Sequence, residues 1–191
     1  MKICVYGASS NEIDKRYIEA GERLGEEMAR RGHTLVYGGG AHGLMGAAAR
    51  GMTRGGGHII GVSPRFFKVD GVLYDKCTEF IYTDTMRERK QIMEDSSDAF
   101  IMTPGGIGTF EEFFEVLTLK QLNRHRKAIA VLNTLGYYDI ITELMKKSAD
   151  GGFMKGNTLR LYEFFEDPSA VLNYIEGYKE QEIDIKNMKH I

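Results

Sequence analysis

Hydrophobic residues along the chain fall into short β-prone runs that alternate with segments in which they recur at helical spacing. The short runs predict strands at 3–6, 34–37, 58–62, 79–82, 99–102, 128–132 and 159–165. The helical spacing predicts helices at about 14–31, 44–54, 85–96, 110–122, 137–148 and 168–178. Residues 63–76 show no clear period, and we expect a loop over one face. This alternation predicts a Rossmann-like α/β fold, a doubly wound parallel sheet with helices on both faces.

The alternation is expected to form a single domain over residues 1–178. It contains no linker, internal repeat or low-complexity segment. The chain has 191 residues, of which 42% are hydrophobic and 27% charged, as in an ordinary globular domain with a full core. Residues 179–191 form a charged C-terminal tail, which we expect to be frayed.

Charge and cysteine content narrow the class of function. A net charge of −2 argues against a nucleic acid polymer as partner, because binding to a duplex requires a basic excess. No signal peptide is evident and no stretch approaches the roughly 20 apolar residues of a membrane span, so we expect no membrane partner. Cys4 and Cys77 are far apart and the five histidines lack ligand spacing, which predicts a cytoplasmic protein with no metal site.

Glycine-rich turns follow several predicted strands, at the sheet edge where ligands of such folds bind. Ser9 follows the first strand and is predicted to contact the substrate; no GxSxG motif surrounds it, so a serine hydrolase is not supported. Gly39 and Gly40 belong to the segment GGGAHG after the second strand. Its match to GxGxxG is weak, because no carboxylate ends the next strand to bind a dinucleotide ribose. Two interpretations stay open: a tight turn with close helix packing, or backbone contact with a phosphate or ribose.

The segment 104–112 carries the clearest binding signal. It leaves a buried strand, turns on three glycines and opens a helix, so its backbone N–H groups are expected to bind an anion at the positive end of a helix dipole. We call residues 104–109 the anion loop; its predicted ligand-contacting residues are Gly105, Gly106, Ile107, Gly108 and Thr109. Glu111 and Glu112 follow directly. Thr109-x-x-Glu112 also matches a capping box, so Glu112 has two interpretations: helix cap or catalytic acid.

A second charged motif lies on the helix predicted at 85–96. Met86, Arg89, Lys90 and Met93 share one helix face at i, i+3, i+4 and i+7 spacing. A run of charges on a helix is often a solvated face. If the methionines face inward, however, Arg89 and Lys90 point toward the sheet end, where charges need a partner or a ligand.

Taken together, TMRERK and TPGGIGTFEE resemble the LOG (Lonely Guy) family, whose members are cytokinin riboside 5′-monophosphate phosphoribohydrolases often mislabelled as lysine decarboxylases. The similarity also covers YGASS, YGGG…GLMG, GGGHIIGVSPR and GYYD, and it runs from about residue 2 to 175. The resemblance implies that Arg89 and Glu112 are the catalytic pair and that the protein is a homodimer with active sites near the subunit interface. It implies substrate contacts at Lys90, Gly106, Gly108, Thr109, Glu111 and Thr118.

Three positions depart from the family pattern. Arg87 stands where the family usually has His, Ile107 where it commonly has Tyr or Leu, and Phe110 where it has Leu. A carboxylate that the plant enzymes carry before the fourth strand has no clear match, and Asp70 is only nearby. The catalytic pair is intact, so these departures bear on the preference for a base.

The hypothesis that follows is hydrolysis of the N-glycosidic bond of a purine nucleoside 5′-monophosphate, cytokinin-type or AMP, without a cofactor. One alternative is a nucleotide-binding module without catalysis, which would use the same anion loop. The other is a decarboxylase that depends on pyridoxal phosphate. That chemistry needs a Schiff-base lysine, for which Lys90 beside Arg89 is a poor candidate.

Overall fold

A seven-stranded parallel sheet forms the centre of the computed structural model, which describes residues 1–180 and 182–189. The strands are β1 (Lys2–Tyr6), β2 (Thr34–Tyr37), β3 (His58–Pro64), β4 (Glu79–Thr83), β5 (Ala99–Met102), β6 (Ala128–Leu132) and β7 (Glu163–Phe165). Their order is β4-β3-β2-β1-β5-β6-β7. The chain thus starts at the centre, builds one half of the sheet and then the other. The point where the order reverses lies between β1 and β5, which is where such folds bind ligands.

Helices cover both faces of the sheet, as predicted. They are α1 (Lys15–Arg30), α2 (Gly43–Arg54), α3 (Met86–Asp95), α4 (Ile107–Gln121), α5 (Asp139–Asp150), α6 (Pro168–Gly177) and α7 (Ile185–Met188). Side chains alternate along each strand, so Ile3 and Val5 join a core with α1, α2 and α6. Cys4 and Tyr6 join a second core with α3, α4 and α5. The α/β architecture is therefore confirmed.

Several predicted bounds need correction. Strand β3 extends to Pro64, two residues beyond its predicted end, so the following loop spans 65–76. Helix α4 begins at Ile107 rather than near residue 110, because Gly106 is its N-cap and the anion loop itself enters the helix. Helix α5 begins two residues later than predicted, after a short 3₁₀ turn. The last strand is only Glu163–Phe165, since 156–160 form a 3₁₀ helix. The described part of the tail contains α7 and the buried Ile183, so the expectation of a frayed end is wrong there.

The described residues contain no helix both long and apolar enough to cross a membrane. In the same residues, no three His, Cys, Asp or Glu side chains are grouped so that they would hold a metal ion.

One charged side chain, that of Lys120 on α4, is buried in the protein interior. It is 1% exposed; its Nζ donates a hydrogen bond of 2.8 Å to the carbonyl oxygen of Leu161 and lies 4.7 Å from the ring centroid of Tyr178. Burial lowers the pKa of Lys120 to about 8. The contacts of the ammonium are thus a carbonyl oxygen and an aromatic ring, neither of which is a carboxylate, and its buried charge destabilises the fold.

We expect the stability of the wild type, relative to Lys120→Met, to rise with pH between about 8 and 10.5, the folded pKa of Lys120 and its ordinary value. In that range the unfolded chain binds the proton and the folded chain does not, so raising the pH favours folding. Thermal unfolding of both proteins across the range tests this. A difference in Tm that stays constant with pH would show that Lys120 titrates as an exposed lysine does.

Candidate active site

The glycine-rich turns after β1, β2 and β5 meet around one cavity of about 580 Å³ at the carboxyl ends of the strands. Its wall is formed by Gly7, Ser9, Gly38, Gly40, His42, Met45, Ser63, Phe67, Val72, Leu73, Met86, Arg89, Gly106, Ile107, Gly108, Thr109, Glu111 and Glu112. Most of the site residues predicted from sequence therefore lie together. The volume is in the range of small-molecule sites.

A buried ion pair faces this cavity. Nη1 of Arg89 on α3 donates a hydrogen bond of 2.8 Å to Oε1 of Glu112 on α4, and the two side chains are 9% and 10% exposed. Nε of Arg89 also donates to the carbonyl oxygen of Val62, at 3.3 Å. Burial raises the pKa of Glu112, and the guanidinium of Arg89 opposes that rise. The pair thus places a buried carboxylate and its counter-charge in the wall of the cavity.

Glu112 does not cap a helix. The N-cap of α4 is Gly106, no side chain caps it, and Glu112 lies in the second turn with its carboxylate on Arg89. The capping box in this part of the chain belongs instead to α3, where Thr85 and Glu88 bond each other's backbone N–H groups. The interpretation of Thr109-x-x-Glu112 as a capping box is therefore wrong, and the carboxylate of Glu112 stays directed to the cavity.

Helix α3 presents Arg89 inward, as the helical phase predicted, and Met93 is fully buried. Met86 differs from that prediction: it is 41% exposed and lies at the wall of the cavity. It occupies the first position of α3, beyond the end of the sheet, and therefore has no core to pack against.

The anion loop offers N–H groups without side-chain partners. The first turn of α4 has no side-chain cap, so its N–H groups are free to bind an anion. A Cβ atom added at Gly106 or Gly108 would meet nothing within 4 Å, and neither residue has a left-handed φ. Packing and backbone geometry therefore do not require these two glycines, whereas the close approach of a ligand would. Gly105 differs, because its Cβ would lie 2.2 Å from Oγ1 of Thr109, and it does not line the cavity.

The GGGAHG segment serves both packing and the cavity. A Cβ on Gly38 would lie 2.2 Å from Nη2 of Arg89, so this glycine makes room for the guanidinium. Gly39 has φ +77° and lies against the ring of Phe80, which is a packing role, and it is not in the cavity wall. Gly40 lines the cavity. The tight-turn interpretation thus fits Gly39, which packs on strand β4 and not on a helix, and contact with a ligand is open to Gly40.

The loop predicted at 63–76 closes one side of the cavity. It is held to the GGGAHG segment by backbone hydrogen bonds from Ala41 N to the carbonyl oxygen of Val72 (3.0 Å) and from Tyr74 N to that of Gly39 (2.9 Å). Phe67, Val72 and Leu73 contribute an apolar wall. Sequence reasoning missed these residues and Gly38; the apolar pairs Phe66-Phe67 and Val72-Leu73 in an otherwise polar loop were the available signal. Asp70 is exposed and does not line the cavity.

Lys90 and Thr118 lie outside the cavity. The ammonium of Lys90 binds the carboxylate of Glu111 and lies 2.7 Å from Oε2 of Glu115. Burial lowers the pKa of Lys90, but these two carboxylates outweigh it and raise the pKa. Thr118 is exposed on α4. Within one chain these two predicted contacts thus lie apart from the cavity, as Gly39 and Gly105 do, while Glu111 both lines the cavity and binds Lys90.

Solved structures with the same fold include carriers of a cofactor. The molybdenum cofactor carrier protein of Chlamydomonas reinhardtii matches with a TM-score of 0.68 and 24% identity, covering 92% of this chain and 95% of that chain. The molybdenum cofactor binding protein of Rippkaea orientalis matches with a TM-score of 0.66 and 21% identity, covering 92% of this chain and 93% of that chain. At such identity the likeness concerns the fold alone.

Sequence comparison identifies the family of the chain. The family model described as "Possible lysine decarboxylase" matches residues 45–175. The cytokinin riboside 5′-monophosphate phosphoribohydrolase LOG2 of Arabidopsis thaliana is 36% identical over 177 residues, 93% of this chain and 83% of that protein. A probable enzyme of the same description from Oryza sativa subsp. japonica, LOGL9, is 37% identical over 93% of this chain and 78% of its own length. The chain therefore belongs to the LOG family of phosphoribohydrolases.

Proposed function

We propose that this protein hydrolyses the N-glycosidic bond of purine nucleoside 5′-monophosphates, releasing the free base and ribose 5-phosphate. The observation that carries the proposal is the buried Arg89–Glu112 pair, which faces a cavity whose wall includes the uncapped first turn of α4. The relatives named as phosphoribohydrolases of cytokinin riboside 5′-monophosphates support this type of bond and substrate.

The chemistry needs a carboxylate near C1′ of the ribose. Cleavage of an N-glycosidic bond passes through an oxocarbenium-like sugar, as in O-glycoside hydrolysis, and a negative charge stabilises that state. In this proposal Glu112 supplies the charge and accepts a proton from the attacking water. The water oxygen bonds to C1′ and the C1′–N bond breaks. The departing base takes up a proton from solvent, and Glu112 returns the proton that it accepted to solvent, so that the cycle balances. The guanidinium of Arg89 lowers the pKa of Glu112 against the rise that burial causes, and so favours the carboxylate form.

Binding of the 5′-phosphate is assigned to the anion loop. The uncapped N–H groups and the open space in front of Gly106 and Gly108 support this assignment. Binding energy from the phosphate, remote from the reacting bond, would hold C1′ against Glu112. Apolar residues of the 65–76 loop, Phe67, Val72 and Leu73, offer a surface for the purine ring and for an apolar group attached to it.

We expect adenosine to be cleaved at least about 100-fold less efficiently than AMP, because it lacks the group that the anion loop binds. Comparison of kcat/KM for the two compounds, from the release of adenine followed by chromatography, measures the difference. Equal efficiencies would contradict the role of the anion loop in binding phosphate.

A homodimer with active sites near the subunit interface is part of the proposal. Ile107, Glu111, Glu115 and Thr118 follow one another at helical spacing on a single face of α4, and Ile107 is 85% exposed. The resemblance to the family connects Thr118 and Lys90 with the substrate, although both lie outside the cavity of one chain. A second subunit packed on this face of α4 would account for both observations. A cytoplasmic location also stays a prediction.

The alternatives have less support. A nucleotide-binding module would need the anion loop, but it would not need a carboxylate held in the cavity by a buried guanidinium. A decarboxylase that uses pyridoxal phosphate would need a free lysine amine at the site, whereas Lys90 is bound to Glu111 and Glu115 and lies outside the cavity. Nucleotide retained by the protein without turnover would favour the binding module.

A further inference from the structure

Two adjacent tyrosines that do not line the cavity hold the anion loop. Oη of Tyr137 donates a hydrogen bond of 2.8 Å to the carbonyl oxygen of Gly105, and Oη of Tyr138 donates one of 2.7 Å to that of Thr103. Tyr138 is fully buried, and the edge of its ring contacts Phe110 in the first turn of α4. The loop is thus fixed before and within its glycine turn by groups that do not line the cavity.

The chain reaches this arrangement through an unusual turn after β6. Leu135 and Gly136 both have left-handed φ values, +57° and +68°, and such a conformation is costly for leucine. Asn133 stabilises the turn: its Oδ1 accepts a hydrogen bond of 2.7 Å from Tyr138 N, and its Nδ2 donates one of 2.8 Å to Asp139. The fold therefore maintains a strained turn at the point from which both tyrosines reach the loop.

The hydrogen bond from Tyr137 has a direct geometric consequence. The carbonyl of Gly105 and the N–H of Gly106 belong to one planar peptide unit, in which they point in opposite directions. Fixing the carbonyl toward Tyr137 therefore directs the N–H of Gly106 away from Tyr137. Gly106 lies in the wall of the cavity and Tyr137 does not. An N–H group oriented in advance binds an anion without the cost of ordering it.

We infer that Tyr137 is a positioning residue for phosphate: its hydroxyl orients the N–H of Gly106, and Tyr138 supports it by fixing the start of the anion loop. The inference rests on the proposed function, in which the loop binds the 5′-phosphate. Tyr137 does not touch the substrate in this account. Loss of its hydroxyl weakens only those interactions that depend on the phosphate.

Equilibrium binding of AMP and adenosine, measured by titration calorimetry, tests the inference. The titrations use Glu112→Gln as the parent protein, so that bound nucleotide is not consumed, and circular dichroism checks that each variant is folded. Adding Tyr137→Phe is expected to weaken AMP binding about five- to tenfold, the effect of one hydrogen bond, and to leave adenosine binding unchanged. Tyr138→Phe is expected to act in the same direction. Tyr17→Phe is the matched control, because its ring packs on Tyr137 without a hydrogen bond to the loop.

The outcomes separate the two levels of the account. An affinity for AMP that Tyr137→Phe leaves unchanged would overturn the positioning role alone. Equal loss of affinity for AMP and adenosine would also overturn it, since that is the effect of general damage to the cavity. A parent that binds AMP and adenosine equally would refute the assignment of the phosphate to the anion loop itself.

Discussion

Glu112→Gln is expected to lower kcat for base release at least about 1,000-fold while the protein stays folded. The amide still accepts the hydrogen bond from Arg89, but it carries no charge to stabilise the oxocarbenium-like sugar and takes no proton from water. Because burial raises the pKa of Glu112, we also expect wild-type activity to fall on acidification at a pH above 4.5, the ordinary value for glutamate. Base release from AMP across a pH series gives both results.

The control for this substitution is Glu143→Gln on α5, which changes the same charge on an exposed side chain outside the cavity. It is expected to keep wild-type kinetics. Glu112→Gln leaves the buried charge of Arg89 without a charged partner, which can destabilise the fold. Circular dichroism therefore checks that this variant is folded. A folded Glu112→Gln protein with near wild-type kcat would remove Glu112 from the mechanism.

Gly38→Ala is expected to lower kcat/KM about 100-fold or more, through a residue that carries no functional group. The added Cβ would lie 2.2 Å from Nη2 of Arg89, so the guanidinium has to move away from its position against Glu112. The carboxylate then loses its counter-charge in a buried site, which favours its protonated form. Kinetics with AMP at several pH values tests this, with the acid limb of the profile expected to move to higher pH.

Gly177→Ala is the matched control, because a Cβ at that position meets nothing within 4 Å and the residue has no left-handed φ. It is expected to leave activity unchanged. If Gly38→Ala changed KM for AMP but moved neither kcat nor the pH profile, Gly38 would act on the substrate directly and not through Arg89.

The parts of the site that could be predicted from sequence follow rules that involve only residues close together along the chain. The spacing of Arg89 and Met93 fixed their direction on α3, since residues four apart in a helix share a face. The three-glycine turn after β5 predicted an anion-binding helix terminus from the same kind of local rule. The doubly wound parallel sheet also followed from the alternation of strands and helices.

The parts that could not be predicted depend on contacts between distant segments. The role of Gly38 exists only because Arg89, far along the chain, extends across it. The wall formed by Phe67 and Val72 belongs to a loop without period, which is placed by hydrogen bonds to the GGGAHG segment. Thr109-x-x-Glu112 matches a capping box but does not form one. Helix α4 begins at Ile107, with Gly106 as its N-cap, so Thr109 does not occupy the N-cap position.

Incubation of the purified protein with isopentenyladenosine 5′-monophosphate and with AMP, followed by chromatography of the products, tests the central claim most directly. The account predicts that free base and ribose 5-phosphate appear in equal amounts from at least one of the two nucleotides, over many turnovers. Recovery of both nucleotides intact after incubation with a stoichiometric amount of folded protein would contradict it, and would leave a protein that binds nucleotides without cleaving them.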